Sequence, residues 1–157
     1  LVKNHIEYLP KPIKLFLFSF LITLSVGYFT GLNFVRQNDI VTPEVIENYN
    51  GNEGNSVSEA MKFKKGKREM LTIIHTHILS LSFIFFMLGI LVWGTNQSTN
   101  LKLFLTVEPF ISVLLTFGSI YIFGLDILFF FVIIFSGILM TLSYLAGVCI
   151  VLKDLFK

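Results

Sequence analysis

The sequence predicts an all-α integral membrane protein, a four-helix up-down bundle with a short extramembrane cap between helices 1 and 2. The chain is 54% hydrophobic, only 14% of its 157 residues are charged, and its mean hydropathy is +0.77. In a soluble domain about a quarter of the residues are charged. Four apolar runs reach the roughly 20 residues that cross a bilayer. These runs, which we assign to one membrane domain over residues 1–157, are residues 15–35, 70–94, 103–125 and 127–152.

The first run, residues 15–35, is expected to be a retained spanning helix, because it is too long for the core of a signal peptide and no Ala-x-Ala-like site follows it. An even number of spans puts both termini on one side of the membrane. Lys3, Lys11 and Lys14 precede the first helix and predict cytoplasmic termini. The basic run at 62–68 opposes this, and each side carries six Lys or Arg. We base the predicted orientation on the basic residues before the first helix, because the first helix usually determines the orientation of the chain.

The segment from residue 36 to 69 is the predicted extramembrane cap. It holds 12 of the 22 charged residues, six of each sign. Thr42-Pro43 and Ser56 each fit the start of a short helix. Between them, residues 50–55 are rich in Asn and Gly and predict a turn in which glycine supplies a positive φ.

The remaining connections are short. Residues 95–102 predict a polar turn between the second and third helices. Residues 123–126 predict a tight hairpin in which Asp126 caps the fourth helix. Because Cys149 is the single cysteine, a disulfide within the chain, a C-x-x-C-H haem attachment and a thiolate zinc site are excluded.

His75 and His77 are the main candidate site residues, because an ionisable side chain inside an apolar span is by default a functional-site hypothesis. Two of the three histidines of the chain lie here. On a helix they point to nearly opposite faces, about 200° apart, so they cannot chelate one ion together. Each is instead a separate candidate metal or cofactor ligand, for example to the iron of a haem b or as a hydrogen-bond partner of a quinone.

Tyr121 and Asp126 are predicted to lie at the same depth as the histidines and complete the candidate cofactor-binding set. A second axial histidine is not available at that level, since His5 precedes the first helix on the opposite side of the membrane. A haem would therefore need an open position, a second copy or another subunit. Glu108, next to Pro109, is interpreted as a first-turn acid near the membrane interface, remote from the histidines.

Three functions are compatible with these residues. The preferred one is a small accessory subunit of a membrane redox or respiratory assembly, involved in electron transport and without an enzyme activity of its own. The second is a structural or assembly subunit whose histidines only fix helix packing. The third is a proton or metal-ion conduit in an oligomer. No phosphate-binding loop or nucleic-acid motif occurs, so we expect the partners to be lipid and other membrane subunits or further copies of this chain.

Residues 47–53 (ENYNGNE), a basic segment, and Glu69-Met70-Leu71 followed by His75-x-His77 form a recognisable series. This series resembles a family of small uncharacterised bacterial four-span membrane proteins with a Tyr-x-Gly loop motif and a Glu-x-Leu…His-x-His helix start. The resemblance covers residues 47–94. It implies a bacterial inner-membrane location and an association with respiratory or cytochrome-containing systems, and it picks out Tyr49, Gly51, His75 and His77.

Overall fold

Four long α-helices make up nearly all of the described structure. The computed structural model describes residues 6–37, 51, 66–123 and 127–157, with the side chains at 34–37, 123 and 127–129 left out of the description. The part described contains no strand, and the predicted all-α four-helix bundle is confirmed. A 3-10 turn, Ile6–Tyr8, comes first, and the helices are α1 (Lys11–Gln37), α2 (Lys67–Trp93), α3 (Thr99–Phe123) and α4 (Ile127–Leu155).

Each helix is long and apolar enough to cross a membrane. The helices extend past the apolar runs by up to four residues, because a run marks the hydrocarbon region whereas the helix continues into the interface, where Lys and Arg side chains reach the headgroups. Thus α1 begins at Lys11 and α3 at Thr99. The observed connection between α2 and α3 is correspondingly shorter than the predicted polar turn.

The four helices differ in how much of their surface is packed against other helices. Helices α2, α3 and α4 contact one another, with the most extensive contact between α3 and α4. Helix α1 packs chiefly against α4, and only 11% of its spanning residues are buried, compared with 39% for α3. The bundle is therefore a three-helix core with α1 attached to one side.

Three aromatic rings join α1 to this core. Tyr28 of α1 stacks on Tyr144 of α4, with ring centroids 3.8 Å apart and planes within 6° of parallel. Phe85 of α2 meets both rings edge-on. The two tyrosine hydroxyls find partners across the same contact: Tyr28 Oη lies 3.2 Å from Thr141 Oγ1, and Tyr144 Oη lies 3.2 Å from Ser25 Oγ. The contact thus buries apolar surface without leaving these hydroxyls unpaired.

The outer surface suits a lipid environment. Large apolar side chains on all four helices are more than half exposed, among them Phe16, Phe83, Leu114 and Phe135. Serine and threonine hydroxyls on the helices instead donate to the carbonyl four residues earlier, which leaves few polar groups without a partner in hydrocarbon. Such bonds occur at Ser19, Thr23, Thr30, Thr72, Ser80, Thr106, Ser136 and Thr141.

In the segment between α1 and α2 the structure describes two residues, Gly51 and Gly66. Gly51 has φ = 77°, the left-handed conformation that favours glycine, as predicted for this turn-rich stretch. The predicted short helices after Thr42-Pro43 and Ser56 lie outside the described residues.

Candidate functional site

His75 and His77 lie on α2, near the end that follows the loop. At a rise of about 1.5 Å per residue they are about 12 and 15 Å along the helix from Lys67. His75 is exposed on the outer surface of the bundle, whereas His77 is half-buried. The two imidazoles therefore have different surroundings.

His77 is fixed by two contacts. Its ring stacks on Phe117 of α3, with centroids 5.2 Å apart and an angle of 28° between the planes. Its Nδ1 atom lies 2.8 Å from the carbonyl oxygen of Ile73, one turn earlier on α2. Because a carbonyl oxygen only accepts hydrogen bonds, Nδ1 must carry the proton and donate it. In the neutral imidazole Nε2 is then the acceptor, with a lone pair available to a ligand.

Of the other predicted site residues, the structure describes His75 and Tyr121, and both side chains are exposed. Tyr121 is one turn beyond Phe117 on α3, and its side chain is 59% exposed. His75 points away from this contact, on a different face of α2. Asp126, together with its predicted role as a helix cap, lies outside the described residues, and so does Tyr49. The ring partner of His77, Phe117, could have been found by its depth on α3 but is one of many phenylalanines in the chain.

A stripe of buried polar residues runs along the interface of α3 and α4. Glu108, Ser112, Thr116 and Ser119 recur on α3 at spacings of four, four and three residues, so they share one face. Ser136 and Ser143 face them from α4. All six are at least nine-tenths buried. We call these six residues the polar stripe.

Five of the six residues of the polar stripe form hydrogen bonds within it. Ser112 Oγ donates to Glu108 Oε1, and Ser143 Oγ donates across the helix interface to Glu108 Oε2. Further along, Thr116 Oγ1 and Ser136 Oγ are 2.6 Å apart. Since Ser136 gives its own proton to the Val132 carbonyl, 2.8 Å away, Thr116 is the donor to Ser136. The two helices are thus joined by polar bonds as well as by apolar packing.

The expectation for Glu108 was wrong. Helix α3 begins at Thr99, so Glu108 is about 13 Å into the helix and not in its first turn. Its side chain is only 7% exposed. The spacing of Glu108, Ser112, Thr116 and Ser119 was the signal in the sequence that could have identified a buried polar face.

Two more charged residues are buried at the end of the bundle that carries the turn between α2 and α3. Lys102 Nζ donates to the carbonyl oxygens of Trp93 (3.1 Å) and Thr95 (2.5 Å). Asp154 Oδ2 accepts from the backbone N–H of Asn96 at 2.7 Å, and Oδ1 lies 3.1 Å from Lys157 Nζ. Both side chains satisfy backbone groups that the helix end and the turn would leave without partners.

A metal centre built from this chain alone is not visible in the part that the structure describes. Within residues 6–37, 66–123 and 127–157, no group of three His, Cys, Asp or Glu side chains is close enough to hold an ion. A metal or haem iron bound through His77 would therefore need further ligands from elsewhere.

A comparison with protein families shows which family the membrane-spanning helices belong to. A family model described as a transmembrane helical domain matches residues 39–157, more than half of the chain. No curated protein and no solved structure matches. The match begins just after α1 ends at Gln37 and covers α2, α3 and α4, the same three helices that form the core. The chain, a multi-pass membrane protein, belongs to the Aq_1264_TM family of transmembrane helical domains.

Proposed function

We propose that this protein is a small accessory subunit of a membrane redox or respiratory assembly, and that His77 contacts a haem, a quinone or the cofactor of a partner. His75, Tyr121 and Asp126 belong to the same proposed contact region. The observation that supports this most is the hydrogen bond from His77 Nδ1 to the Ile73 carbonyl. A histidine that ligates a metal commonly donates its other nitrogen to a carbonyl or carboxylate, which fixes the ring and the tautomer.

The chemistry of His77 fits both cofactors. Its Nε2 lone pair can bind haem iron or accept a hydrogen bond from the hydroxyl of a reduced quinone. The stack on Phe117 holds the ring in one orientation. Because one nitrogen fills only one axial position, a haem here would have an open position or would be shared with a partner subunit or with a second copy of this chain.

The exposure of His75 supports a partner. An imidazole on the outer face of a spanning helix is unfavourable against lipid tails. Neighbouring exposed residues on α2, such as Leu71 and Leu79, are apolar. A polar group on an adjoining subunit would give His75 a hydrogen bond, so we propose that this face of α2 lies at a subunit contact.

The experiment is a reduced-minus-oxidised optical spectrum of the complex extracted in mild detergent, with the co-purifying subunits identified by mass spectrometry. We expect a haem band or bound quinone that His77→Phe removes while the complex remains assembled. His77→Phe keeps a ring to stack on Phe117 and removes only the nitrogen. Phe117→Leu is the matched control, which removes the stack and keeps the nitrogen. A colourless preparation that contains neither quinone nor redox subunits would contradict the proposal.

The second candidate is a structural or assembly subunit, and the stack of His77 on Phe117 is the observation that favours it. In that case the packing of the His77 ring on Phe117 is required, and the ability of its nitrogen to bind a ligand is not. His77→Phe would then retain both the stability and the composition of the complex, with no chromophore lost, whereas His77→Ala would lower the stability.

The proposed location is the bacterial inner membrane, with both termini in the cytoplasm. Lys3, Lys11 and Lys14, which precede the first apolar run in the sequence, support this orientation. Labelling of a cysteine introduced at Lys157, in a Cys149→Ser background, tests it with a reagent that does not cross the membrane. Labelling in intact cells would place the termini outside and reverse the orientation.

A further inference from the structure

Helices α3 and α4 enclose a groove that opens onto the outer surface of the bundle. Its volume is about 480 Å³, which is within the usual range for small-molecule sites. The walls are apolar and come from both helices. They include Phe104, Val107, Ile111 and Leu115 of α3 and Phe135 and Leu139 of α4. Because the groove faces the position of the lipid tails, a ligand would enter it from the bilayer.

The polar residues that line the groove are Asn100 and three members of the polar stripe. Glu108, Ser112 and Ser136 line it, and each is more than nine-tenths buried. A carboxylate can accept about four hydrogen bonds. Glu108 accepts two, from Ser112 and Ser143, and so retains acceptor capacity.

Glu108 has no basic partner in the described part of the chain. Within residues 6–37, 66–123 and 127–157, no Lys, Arg or His nitrogen forms an ion pair with it. Lys102, the nearest basic residue along α3, donates instead to the Trp93 and Thr95 carbonyls. A carboxylate in a medium of low polarity is strongly stabilised by a cation next to it.

We infer that this groove binds a lipophilic cation, an amphiphile whose amine or ammonium head lies against Glu108 and whose apolar tail lies along Phe104, Ile111 and Phe135. The carboxyl group of Glu108 favours a cationic head over a neutral one. The apolar walls favour a molecule with an apolar tail over a hydrated inorganic cation. A neutral amphiphile would fill the same walls but leave the carboxylate without a counter-charge. The site is separate from His77, so the inference does not depend on the proposed function.

The test is photolabelling of the protein in lipid nanodiscs with a dodecylammonium probe that carries a diazirine in its chain, with the labelled residues located by mass spectrometry. We expect saturable labelling of the groove walls. Unlabelled dodecylammonium and dodecyltrimethylammonium should each reduce it at least fivefold, and dodecanol at the same membrane concentration should not. If dodecanol competes equally, or if the groove is not labelled, the inference is wrong.

Variants of the groove test separately the contribution of the Glu108 carboxyl group and that of the groove volume to labelling. Glu108→Gln keeps the size of the side chain and one acceptor oxygen, and it should reduce labelling at least tenfold. Glu69→Gln removes the same charge outside the groove and should leave labelling unchanged. Ile111→Trp should reduce labelling by filling the groove with Glu108 intact. Unchanged labelling in Glu108→Gln would contradict the inference, and if that variant fails to fold, the competition experiment on the wild-type protein decides.

Discussion

Asp154 and Lys102 show how single charged side chains complete the end of this bundle. Asp154 is fully buried in the last turn of α4 and accepts the backbone N–H of Asn96. Lys102 donates to the carbonyl of Trp93, the last residue of α2, and to that of Thr95 in the turn that follows. In both cases a charged group satisfies a backbone group of the turn, where no helical hydrogen bond is available. At the scale of single residues, these charged side chains stabilise the structure by forming hydrogen bonds with backbone atoms.

We expect Asp154→Ala to lower the free energy of unfolding by about 1–3 kcal/mol, because the N–H of Asn96 would lose its acceptor inside the structure. Asp154→Asn should cost less, since the amide oxygen can still accept that hydrogen. Denaturation of the purified protein in detergent measures both changes.

The control for this prediction is Lys157→Ala. The side chain of Lys157 is 47% exposed, so its ion pair with Asp154 should contribute no more than about 1 kcal/mol. If Lys157→Ala and Asp154→Ala destabilise the protein equally, then the ion pair and not the bond to Asn96 stabilises the turn.

The sequence predicted some of these residues and not others. His75 and His77 were recognisable because they interrupt an apolar run. The environment of Glu108 was misjudged, because the apolar pattern starts α3 at residue 103, four residues later than the true start at Thr99. The role of Asp154 could not be predicted, because its partner is a backbone N–H that is 58 residues away and has no side-chain signature.

At the scale of the elements, α4 is the helix that contacts all the others. Gly147 permits its close contact with α2: a Cβ atom at this position would lie 3.1 Å from Leu88 Cδ2 and 3.4 Å from Val92 Cγ2. Gly137, ten residues earlier on the same helix, has no atom within 4 Å of the equivalent position. The close approach of α4 to α2 is therefore at Gly147.

We expect Gly147→Val to destabilise the protein by about 1–3 kcal/mol through overpacking against α2. Gly137→Val introduces the same side chain into the same helix and therefore corrects for the helix propensity of valine. Thermal unfolding of the two variants measures the difference. Equal melting temperatures would mean that α2 and α4 can move apart at little cost.

The existence of the helices follows from hydropathy, but their arrangement does not. The spans are apolar on nearly every side because lipid surrounds them, so no apolar face marks the side that is buried. The peripheral attachment of α1 depends on Tyr28, Tyr144 and the hydroxyls of Ser25 and Thr141. These residues are unremarkable in the sequence, and the contact becomes visible only when the helices are placed together.

At the scale of the whole molecule, the family match and the packing indicate the same unit. The match starts at residue 39, after α1, and the remaining helices form the mutually packed core. Helix α1 is attached to this unit by the stack of Tyr28 on Tyr144 and by an edge-on contact of Phe18 with Phe156.

We therefore expect a fragment that starts at residue 38 to insert and fold, with α2, α3 and α4 still packed together. Its melting temperature should be lower than that of the full chain, because Tyr144 loses the ring of Tyr28. Resistance of α2–α4 to proteolysis in detergent is the measurement.

A fragment that ends at residue 126 is the control, because it removes α4, the helix that contacts all the others. It should be degraded under the same conditions. Rapid degradation of the fragment that starts at residue 38 would show that α1 is required for the fold.

The bond between Asn96 and Asp154 has a consequence for how this protein is made. The ribosome adds Asp154 58 residues after Asn96, which at about 5–20 residues per second is a delay of about 3–12 s. During this interval α2 and α3 can pair, but the N–H of Asn96 must be hydrated at the membrane surface. The bond can form only after α4 has been made and has entered the bilayer, so the hairpin of α2 and α3 lacks this hydrogen bond until then.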